Sequence, residues 1–322
     1  MTETAQNKKI DIIRNLFSFR TLFGFGVGAF IIYFFLRNFE LGEALDTFSK
    51  IKIHYFLLAL IVYYASLPVR GWRWGQLMRP AGIEIGTKPL THYYFLSWFA
   101  NSLLPARIGD IYRAYLLKKN KEVSISMSIG VLFSERIFDL VLVASLVIIS
   151  GSYYWGILIG TSAGDYLIFG LMAVMLLLVF FVAAIFGLPF LIGFVPEKFK
   201  DKIERFRSGL FRSSKHLPMI IISTLVIWLS EALRLYLVLQ AFGVDTGFLM
   251  ALFVSQAALI LMAVPISPAG LGIVELLMLK VMASSGLAPE LAGAITIADR
   301  IISYWSLLAF GAIAYIFSPR IR

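Results

Sequence analysis

The sequence has no cysteine, only three histidines and few charged residues, and each shortage narrows its chemistry. Without cysteine there are no disulfides, thiol nucleophiles or thiolate metal ligands. His54, His92 and His216 lie near the ends of apolar runs with no second ligand at metal spacing, so no metal site is expected. No Ser–His–acid pattern, Walker loop or acidic pair flanked by metal ligands is visible, nor a soluble domain to hold a nucleotide or aminoacyl donor. The chain therefore reads as no enzyme, with no catalytic residue and no cofactor. Charged residues are 15% of the chain, against roughly 25% in an average soluble protein.

What fills the gap is apolar. Hydrophobic residues make up 59% of the 322 positions, and the mean hydropathy is +0.84. Several runs approach the roughly 20 residues that cross about 30 Å of hydrocarbon. The short alternating segments of a β-barrel are absent. The expected fold is an all-α polytopic membrane protein, a single membrane domain over residues 1–322. Its net charge of +10 reads first as topology, because Lys and Arg collect in cytoplasmic loops and a basic inner face suits anionic lipids. Nothing resembles a nucleic-acid-binding fold, and no nucleic acid partner is expected.

In chain order, a basic start precedes a first span over Thr21–Leu36, read as retained rather than cleaved. Gly24, Gly26 and Gly28 within it read as helix-contact glycines and not as a nucleotide loop. A second span runs from Ile53 to Val69 and ends in R-G-W-R-W (Arg70–Trp74), read as an interfacial belt followed by a cytoplasmic loop. The chain enters again at Leu90, breaks at Pro105 and returns to Lys118, Lys119 and Lys121. A full crossing would put that lysine cluster outside, so a re-entrant hairpin over 90–117 is the better expectation. A span from Val123 to Ile149 carries Glu135, Arg136 and Asp139, and a short outer segment with Tyr153, Tyr154 and Trp155 follows. Tyr166–Val195 returns to a strongly basic loop, 196–216, with the look of an amphipathic surface segment. Leu217–Val244 then crosses, 247–285 breaks at P-I-S-P-A-G-L-G (Pro265–Gly272), and Pro289–Phe317 makes the last span. The total is about six full spans and two re-entrant hairpins, with both termini cytoplasmic in a plasma membrane.

The halves match. Arg70 and Arg234 are 164 positions apart, as are Arg136 and Arg300, and Glu135–Arg136 falls on Asp299–Arg300. Pro105 with Pro268 and Gly109 with Gly272 are each 163 apart. Residues 53–150 and 217–317 each read span, hairpin, span. Their hairpins enter from opposite sides, the pattern of an inverted repeat with a site near the midplane.

The charges between these runs are the candidate site. On a helix, Arg107, Asp110 and Arg113 would share one face, the acid bracing two guanidinium forks suited to phosphate. The matching face of the second hairpin, Gly270, Ile273 and Leu276, is small and apolar. Glu231 with Arg234 and Arg136 with Asp139 are spaced to pair locally. Glu135 has no evident local cation, and Glu275 must find a partner elsewhere, since Lys280 is poorly placed.

The motifs N-S-L-L-P-A-R-I-G-D-I-Y-R-A-Y-L-L, S-E-R-I-F-D-L and P-I-S-P-A-G-L-G-I-V-E together resemble the flippase-like membrane domain of lysylphosphatidylglycerol synthases. That resemblance covers nearly the whole chain. It implies translocation or binding of an anionic or polyprenyl-phosphate-type lipid, and a possible separate soluble transferase as partner. By motif it carries over Arg107, Asp110, Arg113, Glu135, Arg136, Asp139, Pro268, Gly270, Gly272 and Glu275, and Arg300 joins them through the repeat. A membrane subunit of a lipid-linked glycan or aminoacyl-lipid pathway, or a small-solute transporter, are the alternatives.

Overall fold

The computed structural model describes residues 48–104, 107–158, 160–192, 196–212, 217–263 and 267–318. The expected first span, Pro105, Pro265 and the closing Arg320 and Arg322 lie outside them. Among the described residues every regular element is helical. The helices are α1 (Ile53–Met78), α2 (Thr87–Leu103), α3 (Ile108–Lys121), α4 (Ile125–Leu158), α5 (Ser162–Ile192), α6 (Glu197–Arg212), α7 (Leu217–Ala241), α8 (Phe248–Ala263), α9 (Ile273–Ser284), α10 (Pro289–Arg300) and α11 (Ser306–Phe317). A π-helical segment, Ile301–Trp305, joins α10 to α11.

Among the described residues three stretches are long and apolar enough to cross a membrane: Ile53–Ala81, Leu217–Ala241 and Pro289–Phe317. Shorter apolar stretches lie at Ile168–Phe180 and Phe248–Met262. The outside of the molecule is apolar and the inside is charged. Leu57, Leu58 and Ile61 of α1 and Ile221, Ile222 and Val226 of α7 are exposed, whereas Arg70, Glu231 and Arg234 on the same helices are buried. Exposed apolar faces on this scale belong in hydrocarbon.

Helices α1 and α7 pack antiparallel along their length. The Lys52 amide donates to Ala241 O at 2.8 Å at one end, and Arg73 donates to Thr224 at 2.9 Å near the other. Their starts, Ile53 and Leu217, are 164 positions apart, and so are Ile125 and Pro289, the starts of α4 and α10.

Between these helices the chain makes two helix–break–helix units. In the first, α3 folds back on α2: Ser97 and Asn101 donate to Asp110 at 3.3 and 3.4 Å. The approach is so close that a Cβ on Gly109 would stand 2.1 Å from Ser97 O. In the second, α9 follows α8 after a break in which Gly270 (φ 69°) and Gly272 (φ 85°) have left-handed backbones. Glu275 caps α9 by accepting the Gly272 amide at 2.6 Å. Pro268 begins the short turn Pro268–Gly270. Each break also holds a non-glycine residue at positive φ, Arg107 (53°) and Ala269 (49°), at a cost of about 1–2 kcal/mol each.

Three expectations change. Helix α1 does not stop at Val69 but continues to Met78, which takes Arg70, Arg73 and Trp74 inside. The interfacial belt is thus internal, and its two arginines cannot count toward a basic loop. Helix α4 runs on through Tyr153 and Tyr154 to Leu158, because no proline interrupts it and Gly151 and Gly156 stay within the helix, so the expected outer segment is its last turns. The basic loop is mostly a helix, α6, with alternating apolar and charged faces.

That helix lies against α4 with no side chain between their backbones. A Cβ on Gly130 would be 2.1 Å from Phe206 O, and one on Gly209 2.2 Å from Met127 O. Gly130→Ala should therefore lift α6 from α4, costing about 1–3 kcal/mol. Limited proteolysis is the check, with faster cleavage across 196–212 in the variant than in the parent.

Candidate binding site

A guanidinium in hydrocarbon must be paired, and α1, α3, α4, α7, α9 and α10 together supply the pairs. Arg73 sits between two acids of α4, 2.7 Å from Glu135 and 2.6 Å from Asp139. Glu135 holds Arg113 of α3 with its other oxygen at 2.8 Å and accepts from the Tyr94 hydroxyl at 3.1 Å. The Trp74 and Tyr94 rings cover the Arg113 guanidinium at 4.8 and 4.4 Å. Trp228 of α7 donates to Asp139 at 3.1 Å. On the far side Arg70 meets Glu231 at 2.6 Å, lying over Trp98 at 4.5 Å and Trp228 at 5.1 Å. Arg234 bridges Glu231 (3.3 Å) and Asp299 (2.7 Å), and Arg300 pairs with Glu275 at 2.6 Å.

The balance of this network is seven arginines against six carboxylates, and Arg107 is the odd one. Arg136 takes Asp110 and Asp139, each at 3.3 Å, and Asp110 is 3.7 Å from Arg113. Among the described residues nothing acidic lies within 4.0 Å of Arg107. Its left-handed backbone ends the α2–α3 break and leaves it on the wall of a cavity of about 330 Å³.

Both breaks open on that cavity. Asn101, Ser102 and Leu104 line it from the first, Ser267 and Ala269 from the second. Arg300 donates across to Ala269 O at 3.2 Å, and Tyr304 of the π-helical segment donates to Ser102 O at 3.3 Å. Five arginines reach the wall, Arg70, Arg107, Arg136, Arg234 and Arg300, against two carboxylates, Glu231 and Asp299. Leu177, Leu259, Met262 and Leu307 make an apolar side. A small room with a positive, hydrogen-bonding wall and a greasy one suits an amphiphilic anion.

The family model described as the lysylphosphatidylglycerol synthase TM region matches residues 21–311. The chain belongs to this family. Its relatives include a UPF0104 membrane protein of Methanocaldococcus jannaschii, 32% identical over 67% of this chain and 93% of that one. Another UPF0104 membrane protein, from Methanothermobacter thermautotrophicus, is 26% identical over 85% of this chain and 88% of its own. A segment covering 27% of the chain is 35% identical to 14% of the glycosyltransferase AglD of Haloferax volcanii. No solved structure matches.

In this member of the lysylphosphatidylglycerol synthase transmembrane family, three of the sequence-derived site residues reach the cavity: Arg107, Arg136 and Arg300. Asp110, Glu135, Asp139 and Glu275 stand behind the wall and hold its arginines or their neighbours. Arg113 does not share a face with Arg107: the α3 helix begins only after Arg107, and Arg113 is fully buried on Glu135. Gly270 and Gly272 shape the second break and Pro268 opens its turn. Glu135, with no evident local cation in the sequence, has two from elsewhere, brought by α1 and α3 from outside α4.

Arg70, Arg234, Glu231 and Asp299 were visible in sequence only as repeat markers or local pairs. The 164-residue offset that links Arg70 to Arg234 and Glu135 to Asp299 was the signal, since an arginine recurring at one position of an internal repeat is placed by the fold and not by a loop. Tyr63 and Trp98 carried no distinguishing pattern among so many aromatics, and Trp228 stood out only as the repeat match of Tyr64.

Proposed function

We propose that this protein is a membrane lipid translocase that holds an anionic, phosphate-bearing headgroup in the central cavity while the tails stay in lipid. The observation that carries this is Arg107, an arginine facing a cavity inside an apolar bundle with no carboxylate within 4.0 Å among the described residues. Burying such a charge is costly unless a ligand completes it. Guanidinium and phosphate match in geometry as well as sign. In this reading α2–α3 and α8–α9 are re-entrant hairpins entering from opposite faces. About six spans form an inverted repeat, and both termini and the α6 side face the cytoplasm of a plasma membrane. The antiparallel α1–α7 pair and the repeated helix starts support that arrangement.

The test is leaflet transfer of a labelled anionic phospholipid in proteoliposomes. Arg107→Ala should slow transfer at least ten-fold, and Arg107→Lys should recover part of it as a charge without a fork. Equal transfer by protein-containing and empty vesicles would overturn the proposal. A second reading, a membrane subunit serving a separate soluble transferase of lipid-linked glycans, is favoured by the likeness to a segment of a glycosyltransferase. Product formation only when such a partner is added would select it.

A further inference from the structure

We infer that α6 is an interfacial helix that binds the anionic lipid surface of the leaflet at the start of α4, outside the central cavity. Three features lead to it.

The first is the order of charges around α6. At about 3.6 residues per turn, Phe199, Ile203, Phe206 and Leu210 form one apolar stripe. Glu197, Asp201 and Glu204 all fall on the opposite side. The cations lie between: Lys200 and Arg207 along one flank, Lys202 and Arg205 along the other, with Arg212 at the edge of the acidic side. Water alone does not sort acids from cations in this way. A lipid surface does, because the stripe enters the acyl boundary, the cations sit level with the phosphates and the acids are held away from them.

The second is that α4 covers only part of the stripe. Gly209 and Leu210 are buried, and Phe206 meets Phe133 of α4 edge-on at 5.4 Å. Ile203 and Phe206 are half-buried, Phe199 is 43% exposed, and Phe211 on a flank is 45% exposed. Each exposed ring has a cation beside it, Lys202 at 5.6 Å from Phe199 and Arg207 at 5.7 Å from Phe211. Neither cation has an acid within 4.0 Å among the described residues, whereas Lys200 and Arg205 pair along the helix with Glu197 and Asp201. A ring with an unpaired cation beside it suits the level where acyl chains meet phosphates.

The third is what surrounds α6. Gly209 faces Met127 and Gly130 faces Phe206, so α6 runs antiparallel along the first turns of α4. It also touches the turn Arg79–Ala81. The exposed charges at this end of the molecule are Arg79, Lys88, Lys118, Lys119 and Lys121, against Glu84 and Glu122. The excess is positive beside α6 as well as on it. Anionic lipid offers phosphate to these cations and hydrocarbon to the rings at once. Seating α6 there also holds the start of α4, which carries Glu135 and Arg136 just beyond Phe133.

The chain has no cysteine, so an introduced one takes a single label. Phe199→Cys and Glu204→Cys, each in the full chain, carry an environment-sensitive NBD fluorophore. Nanodiscs are made of phosphatidylcholine alone, or with phosphatidylglycerol or phosphatidylserine added. Either anionic lipid should raise emission at position 199 at least two-fold and make it quenchable by nitroxide-labelled acyl chains. Position 204 should stay in water. Salt at about 1 M, which screens charges beyond about 3 Å, should reverse the change. Lys202→Gln with Arg207→Gln should cut the response at least three-fold and leave the melting temperature in phosphatidylcholine unchanged. A signal at 199 equally high in phosphatidylcholine, one unmoved by salt, or equal responses at 199 and 204 would overturn the inference. No signal in any nanodisc would also overturn it and leave α6 to a partner other than lipid. Lipid transfer enters none of these measurements, so their outcome is separate from that of the translocation proposal.

Discussion

Glu135→Ala is expected to destabilise the protein by about 3–5 kcal/mol, the scale of breaking a buried ion pair by removing one partner. Glu135 has no exposed side-chain surface and holds two arginines from different helices, Arg73 of α1 and Arg113 of α3. Without it Arg73 still has Asp139, but the remaining acid near Arg113 is Asp110 at 3.7 Å, which Arg136 already occupies. A fully buried guanidinium is then left largely unpaired between two aromatic rings. Glu135→Gln should lose less, because an amide oxygen still accepts a hydrogen bond although the charge is gone. Thermal unfolding in detergent, followed by size-exclusion chromatography, ranks the two. A melting temperature for Glu135→Ala at or above that of Glu135→Gln would contradict the pairing described here.

The second large effect is an asymmetry across the Arg70–Glu231 pair, which joins α1 to α7. Glu231 is shared by Arg70 and Arg234, whereas Arg70 has no other acid among its ion pairs. Glu231→Leu strands Arg70 and should cost about 3–5 kcal/mol. Arg70→Met leaves Glu231 with Arg234 and should cost about 1.5–3 kcal/mol, near the loss of one charged hydrogen bond. Adding Arg70→Met to Glu231→Leu should then raise stability above that of Glu231→Leu alone, since the stranded charge goes with it. The double-mutant cycle measures this directly. Simple additivity would mean that the two side chains do not depend on each other.

Both predictions turn on partners that came from distant parts of the chain, and this marks where the sequence was readable. The local pairs, Glu231 with Arg234 and Arg136 with Asp139, were legible because three-residue spacing on a helix puts two side chains on one face, and both pairs are present at 3.3 Å. Spacing says nothing about a neighbouring helix. Glu275 was recognisable as needing an outside partner, but Arg300 as that partner depends on how α10 packs beside α9. The misreading of Arg70–Trp74 has the same origin. A Trp–Arg cluster at the end of an apolar run marks a water boundary when its helix faces lipid or solvent. Here α1 continues and α7, α4 and α2 enclose the cluster.

The sequence by itself determined the solvent, the order of helices and breaks, the family and the matching of the two halves. These follow from apolar length, from glycine and proline between apolar runs, and from charges too costly to place in hydrocarbon without purpose. Tertiary structure decided which arginine meets which acid, which of the charged residues reach the cavity and which one is left over. Those are properties of packing: a guanidinium in a low-dielectric interior must take whichever carboxylates the surrounding helices bring within reach. Among the described residues Arg107 is left over because the chain turns at that residue, on the cavity wall, where none of their carboxylates is brought to it.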